Sequence, residues 1–269
     1  MTLRAGGRHL RARRPPVGAY VAAALAVAFF VLPVVGLAQR APWSQLWADL
    51  TTRTTTDALR LSIECSLGAT VLSLVFGVPL AWVLARAEFP GRRLTRACVL
   101  LPMVLPPVVG GVALFLAFGP RGLLGPVLES WFGLRLPFTT LGAIIAETFV
   151  AMPFLVITVE AALRNLDPRY EDAAATLGAS RWTVFRQVTL PLIAPSLLAG
   201  AALSWARALG EFGATITFAG NLQGKTQTMP LAVFNAFESS PETAIALSLV
   251  LVVISIAVLV GLRDRWLGA

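Results

Sequence analysis

Glu171–Pro191 reads EDAAATLGASRWTVFRQVTLP, and how this stretch is read decides how the rest of the chain is laid out. Apolar runs flank it, yet Glu171 and Asp172 stand at one end and Arg181 and Arg186 toward the other. A stretch charged in this way does not cross a hydrocarbon core, which takes roughly 20 mostly apolar residues. Just upstream, Asp167-Pro168 is a helix start, with Asp capping and Pro in the first turn. Glu171 and Asp172 favour the positive end of that helix's dipole. Tyr170, Ala173, Ala174 and Leu177 recur at helical spacing and form one short apolar face. Gly178 interrupts. A second short helix, about Arg181–Val188, presents Trp182, Phe185 and Val188 before Pro191 starts the next apolar run. The bend of this helix-turn-helix is made of small residues that let another backbone come close. Two uses fit: docking as a helix in the groove of a soluble partner, or lying along lipid headgroups.

The surrounding composition is that of a membrane protein. Of 269 residues, 57% are hydrophobic and 13% charged, against about half and about a quarter in soluble domains. Six stretches are long and apolar enough to span: Val17–Ala38, Leu61–Ala85, Ala97–Phe118, Thr139–Leu163, Leu192–Phe218 and Ala244–Leu262. The first follows a basic stretch, as a signal peptide would. Its apolar core is longer than the 7–15 residues typical of a signal h-region, so it is read as a retained span. The layout is then a basic tail over residues 1–16, a first span over 17–38, a core over 56–262 containing the polar segment 167–191, and a tail over 263–269. The fold class is an all-α polytopic bundle of six spans.

Charge orients the bundle. The net charge is +8, and nearly all the basic residues are arginine. Arg4, Arg8, Arg11, Arg13 and Arg14 precede the first span. Arg86, Arg92, Arg93 and Arg96 lie between the second and third, Arg164, Arg169, Arg181 and Arg186 between the fourth and fifth, and Arg263 and Arg265 after the sixth. The opposite connections hold Arg40, Arg53, Arg60, Arg121, Arg135 and Lys225. The positive-inside rule places both termini and the opening segment in the cytoplasm. That asymmetry accounts for the basic excess and removes nucleic acid as a partner; the lipid bilayer is the first partner implied.

Little conventional chemistry is on offer. His9 is the single histidine and stands in the basic tail, so neither a catalytic triad nor a zinc site is expected. Cys65 and Cys98 lie in or beside apolar runs and read as buried free thiols. Ala219–Thr226, AGNLQGKT, looks like a loose phosphate-binding loop. It lacks the preceding strand and following helix such a loop requires, so it reads as a Gly/Asn turn. The Pro- and Gly-rich third span, LPMVLPPVVGG, reads as a kinked, bundle-facing helix. In the fifth span, Arg207 and Glu211 are four apart and share a helix face. Ionisable groups at membrane depth mark transport paths by default, so Arg207, Glu211, Thr215 and Thr217 are the candidate path residues. A self-neutralised structural pair is the alternative.

The spacing Asp172-Ala173-Ala174, three residues, Gly178, nine residues, Val188-x-Leu190-Pro191 resembles the EAA signature of type I ABC importer permeases. Asp stands where that signature usually has Glu, and Val where it has Ile. The resemblance implies that Asp172, Ala173, Ala174, Gly178, Leu190 and Pro191 belong to a coupling segment seated in a cleft of a separate cytoplasmic ABC ATPase. It runs from roughly Thr56 to Leu262. ARALGEFGATITFAGN followed by GKTQTMPLAVFNAFE is similar to the molybdate/sulfate branch, and more similar to its molybdate permeases. By this resemblance the chain would be a type I ABC importer permease of a bacterial inner membrane. It would act with a second copy of itself as a homodimer, together with two ATPases and an extracytoplasmic oxyanion-binding protein. This chain would hold no cofactor; ATP-Mg would belong to the partner. Sulfate, thiosulfate or tungstate are alternative cargoes. An ion-coupled secondary transporter using Glu147, Glu160 or Glu211 is a different class, and a membrane-embedded enzyme would need a catalytic constellation that the sequence does not offer.

Overall fold

The structure, a computed structural model, describes residues 16–266. Arg4, Arg8, His9, Arg11, Arg13, Arg14 and the last three residues lie outside the described residues, as do the side chains of Arg263 and Arg265. Among the described residues every regular element is helical.

Two units result, residues 1–41 and 42–269. The first carries α1 (Val17–Gln39), 23 residues with no buried side chain. The second begins with α2 (Leu46–Leu50) and α3 (Arg53–Leu72), the latter capped by Thr52, whose hydroxyl accepts from Thr55 N–H. A π-helical turn, Ser73–Gly77, joins α3 to α4 (Val78–Arg86) in one continuous 34-residue rod. Then come α5 (Arg92–Val104), α6 (Pro107–Phe118), α7 (Gly125–Phe132), α8 (Thr140–Asn165), α9 (Arg169–Thr176) and α10 (Arg181–Val184). A second π turn, Phe185–Thr189, leads into α11 (Leu190–Leu209); α12 (Gly213–Phe218), α13 (Met229–Ser239) and α14 (Pro241–Trp266) complete the chain.

Among the described residues five helices are long and apolar enough to cross a membrane: Val17–Gln39, Arg53–Arg86, Thr140–Asn165, Arg181–Leu209 and Pro241–Val258. The sixth expected span is two short helices. Leu105, at ψ 138°, and Pro106 are extended, so α5 and α6 are separate. The residue before a proline is pushed out of the α region, and Leu105-Pro106-Pro107 applies that restriction twice. The fifth span also differs from expectation. Its helix starts at Arg181, inside what the sequence suggested was a second cytoplasmic helix, and stops at Leu209 rather than Phe218. Pro191 therefore lies within a helix instead of starting one. The π turns explain how: Pro79 and Pro191 each occupy the second position after one. A proline ring collides with the carbonyl four residues earlier, and a turn widened to i→i+5 moves that carbonyl aside.

The central element is α8, with thirteen buried residues. Lipid tails give helices no hydrophobic incentive to associate, so close packing of small residues does the work. Cys65, Ala143 and Ala219 pack at one level of the bundle, and Ala69, Ala151 and Ala208 at the next. Leu84, Leu155, Val159 and Ile193 fill the level beyond. Polar side chains within helices bond to their own backbone, as Ser73 does to Ala69 O and Thr148 to Ile144 O. Of the two expected buried thiols, Cys65 is buried and Cys98 is exposed. Cys98 sits on α5, where Pro102 is the one buried residue.

Several arginines that the sequence explained by orientation also have structural partners. Arg92 donates through Nε and Nη2 to Leu84 O at 3.0 and 2.5 Å, and Arg164 reaches the same carbonyl at 3.3 Å. That carbonyl lies in the last turn of α4, where backbone acceptors lack intrahelical donors and the dipole favours cations. Glu160, 5% exposed, accepts from Arg164 Nε at 3.1 Å and from both Arg96 Nε and Nη2.

Candidate functional site

The polar segment folds as a short helix, a closed bend and the start of a long helix. Asp167 Oδ1 accepts from Arg169 N–H, opening α9. Its end is a Schellman closure: Ala179 N–H bonds to Ala174 O and Gly178 N–H to Ala175 O. Such closures put the residue after the cap in the left-handed region, and Gly178 has φ 85°. Nothing lies within 4 Å of where a Gly178 Cβ would stand, so its outer side is open. Ser180 caps the next helix by accepting from Thr183 N–H. The apolar face expected on α9 is unpartnered, with Tyr170 58% and Leu177 90% exposed and Trp182 68% exposed beyond the bend. Asp172, Ala173, Gly178 and Pro191 are exposed; Ala174 and Leu190 are half-buried.

The inner side of the segment is attached to the bundle. Glu171 Oε2 lies 3.2 Å from Arg86 Nη2, and Glu171 Oε1 accepts from Thr189 Oγ1 at 2.7 Å. Phe185 stacks between Trp82 and Trp182, with ring centroids 5.1 and 5.7 Å apart. A cavity of about 320 Å³ lies between segment and bundle, lined by Trp82, Glu171, Asp172, Arg181, Phe185 and Thr189 among others.

The second candidate region is the break after α11. Arg207 Nη1 lies 2.6 Å from Glu211 Oε2. The two do not share a helix face, because α11 ends at Leu209 and Glu211 stands in the break. There its other oxygen accepts from Ala214 N–H at 2.8 Å, satisfying a donor at the start of α12. A helix start left without such an acceptor would be costly at this depth. Thr215 is fully buried. Thr217 is half-buried and donates to Gly213 O at 2.8 Å. Arg207 keeps 28% of its side chain accessible against 1% for Glu211. In this conformation Arg207 and Thr217 retain accessible surface, and Glu211 and Thr215 do not.

Close approach of backbones fixes this region. A Cβ on Gly111 of α6 would run into the Thr217 side chain and come within 2.8 Å of Ala214 O. Glu147 of α8 lies one turn from Ala143 and one turn from Ala151, on the stripe facing α3 and the α11–α12 break. It is 1% exposed, and its Oε2 has no hydrogen-bond partner among the described residues. Ala219–Thr226 is a turn after a helix, not a phosphate-binding loop: Leu222 O accepts from Lys225, Thr226 and Gln227 N–H. Nearby, a cavity of about 390 Å³ with no charged side chain in its lining lies between Thr52, Gln223, Asn235 and Thr243 on one hand and Ala232 and Leu247 on the other.

Sequence reasoning did not pick out Glu171, Arg86 or Thr189 as a linked set. Arg86 and Glu171 are 85 positions apart, and no local periodicity signals a contact across that distance. The two π turns carried one signal, a Pro within an otherwise helical run; Pro191 was read as a boundary, and Pro79 was passed over inside the second span.

Residues 77–268 match the family described as binding-protein-dependent transport system inner membrane component. The chain is 46% identical over 250 residues to the molybdenum transport system permease protein ModB of Mycobacterium tuberculosis (strain ATCC 25618 / H37Rv), covering 93% of this chain and 94% of that one. ModB of Escherichia coli (strain K12) is 41% identical over 212 residues, 79% of this chain and 93% of the relative. The sulfate transport system permease protein CysT of Escherichia coli (strain K12) is also 41% identical, over 79% of this chain and 77% of that one. Among solved structures, a bacterial ABC transporter involved in the import of the acidic polysaccharide alginate superposes with a TM-score of 0.70. It shares 18% identity over 91% of this chain and 94% of that one, a likeness of fold. Broken third crossing, long central helix and exposed polar segment thus sit in a known architecture, and the chain belongs to the binding-protein-dependent transport system inner membrane components.

Proposed function

We propose that this chain is the permease subunit of an ATP-driven importer for molybdate. The observation that carries the reading is its 46% identity to a molybdenum permease across 93% of its length. Both termini lie in the cytoplasm, as the arginine distribution implies. Two copies form the path, because one such bundle offers little interior for a hydrated oxyanion. A cytoplasmic ABC ATPase, which holds ATP-Mg, grips the exposed face of α9 and the bend at Gly178. An extracytoplasmic binding protein delivers the anion. On this orientation the uncharged cavity at Thr52, Gln223 and Asn235 opens toward that outer side.

The mechanism is alternating access. Closure of the ATPase pair moves the coupling segments, the path opens outward to receive the anion, and it reopens inward after hydrolysis. Arg207, Glu211, Thr215 and Thr217 line or support the path, with Arg207 the charged member that has accessible surface in this conformation. The likeness to a sulfate permease keeps sulfate, thiosulfate and tungstate as competing cargoes. The test is ATP hydrolysis by the purified complex with its binding protein in vesicles. Stimulation by molybdate at concentrations where sulfate has no effect is expected; stimulation by sulfate alone refutes the molybdate assignment. Transport that survives loss of the ATPase and collapses with the proton gradient refutes the ATP-driven mechanism.

A further inference from the structure

We infer that Glu171 is the residue through which motion of the coupling segment reaches the membrane helices, acting on two of them at once. The inference rests on the proposed ATPase-driven function and adds a residue outside the signature positions 172–174, 178, 190 and 191. Glu171 is the one acidic side chain of α9 that turns inward. Its side chain is 23% exposed, and its two oxygens serve different helices. Oε2 meets Arg86, the last residue of α4, at 3.2 Å. Oε1 takes the hydroxyl of Thr189, which is 2% exposed and closes the second π turn. Asp172, next in the chain, is exposed.

The two anchor points lie on the two rods that contain a π turn. Arg86 ends the rod that contains the π turn Ser73–Gly77, and Thr189 belongs to the π turn Phe185–Thr189. Trp82 of the first rod stacks on Phe185 of the second beside them. A π turn is wider than an α turn, is rare, and is found frequently at functional sites. A pull on α9 therefore arrives at both rods that contain a π turn: inside the turn of the second, at Thr189, and at the far end of the first, nine residues beyond Gly77. A carboxylate suits the task because one oxygen lies against a cation while the other takes a hydroxyl donor, and a hydrogen bond to an ionised acceptor is stronger than a neutral one. Glu171 is a positioning residue: it binds neither nucleotide nor cargo.

The test compares Glu171→Gln with Thr189→Val in the full complex, reading anions imported per ATP hydrolysed. Gln keeps an acceptor for Thr189 and loses the charge opposite Arg86; Val removes only the hydroxyl donor. Both variants are expected to hydrolyse ATP near the wild-type basal rate while import per ATP falls about fivefold or more, the low end of typical coupling energies. Restoration of part of that ratio by the exchange Arg86→Glu with Glu171→Arg supports a direct link. An unchanged ratio in Thr189→Val and in Glu171→Gln overturns the inference. Absence of ATP-driven import by the wild-type complex counts against the proposed function instead, and is read before any variant is made.

Discussion

Replacing Arg207 by Met tests what holds the break after α11. Met keeps an unbranched stem of similar reach, so the loss is mainly the charge and its hydrogen bonds. Glu211 then remains 1% exposed with one oxygen on Ala214 N–H and the other without its guanidinium. Leaving one member of a fully buried ion pair alone costs about 3–5 kcal/mol. On the proposed path-lining placement water reaches the 28% of the Arg207 side chain that is accessible and screens the pair, and about 2–3 kcal/mol is the better figure. Glu211→Gln is different. Gln still offers an oxygen to Ala214 N–H, and the stranded guanidinium can turn to water, so about 1 kcal/mol is expected. The double variant has no stranded carboxylate and should be milder than Arg207→Met alone. In a chain of this size about 1 kcal/mol moves the melting midpoint by roughly 2–4 °C, so thermal unfolding in detergent resolves the ordering. Equal midpoints for the two single variants, or a double variant no better than Arg207→Met, would refute the asymmetry drawn from their burial.

Gly111→Ala forces α6 away from α12, since the nearest obstacles include Ala214 O, which is backbone. Overpacking of this kind costs about 1–3 kcal/mol, and a variant melting with the wild type would show that the helices separate freely. Gly178→Arg meets no atom in the free chain, so it should cost only the left-handed strain of about 1–2 kcal/mol. In the assembled complex it should block the ATPase from the bend and abolish ATP-driven import. Unchanged ATPase binding in a pull-down would remove the bend from the docking surface.

The helical class, the spans and the position of the polar segment were legible because each rests on composition or on period. Asp167, Gly178 and Ser180 punctuate the chain where local chemistry demands it, and α9 forms within a residue or two of where they imply. Helix interruptions were harder. Pro106-Pro107 broke a span that hydropathy saw as continuous, while Pro191 failed to break one because a wider turn absorbed it. A hydropathy window sums side chains and is blind to such backbone adjustments. Arg207 and Glu211 were paired from their spacing and do meet, though for a different reason: the carboxylate stays in place by serving the next helix. Glu147, Glu160 and Glu211 looked alike as acids in apolar runs. Their partners distinguish them, and sequence spacing alone does not reveal those partners: two arginines for Glu160, one for Glu211, and an unbonded oxygen on Glu147.

The forked grip of Arg92 on Leu84 O bears on why this chain carries 22 basic residues and only one of them, Lys225, is lysine. An ammonium at position 92 would supply the same charge to the membrane surface, and so the same orientation. It could not lay two coplanar N–H groups on a single oxygen, nor could one at 96 clasp both oxygens of Glu160. Swapping these arginines for lysines would leave insertion untouched and loosen the seam between the second, third and fourth crossings. A protein correctly threaded yet slack at that seam would separate two properties that a count of positive charges treats as one.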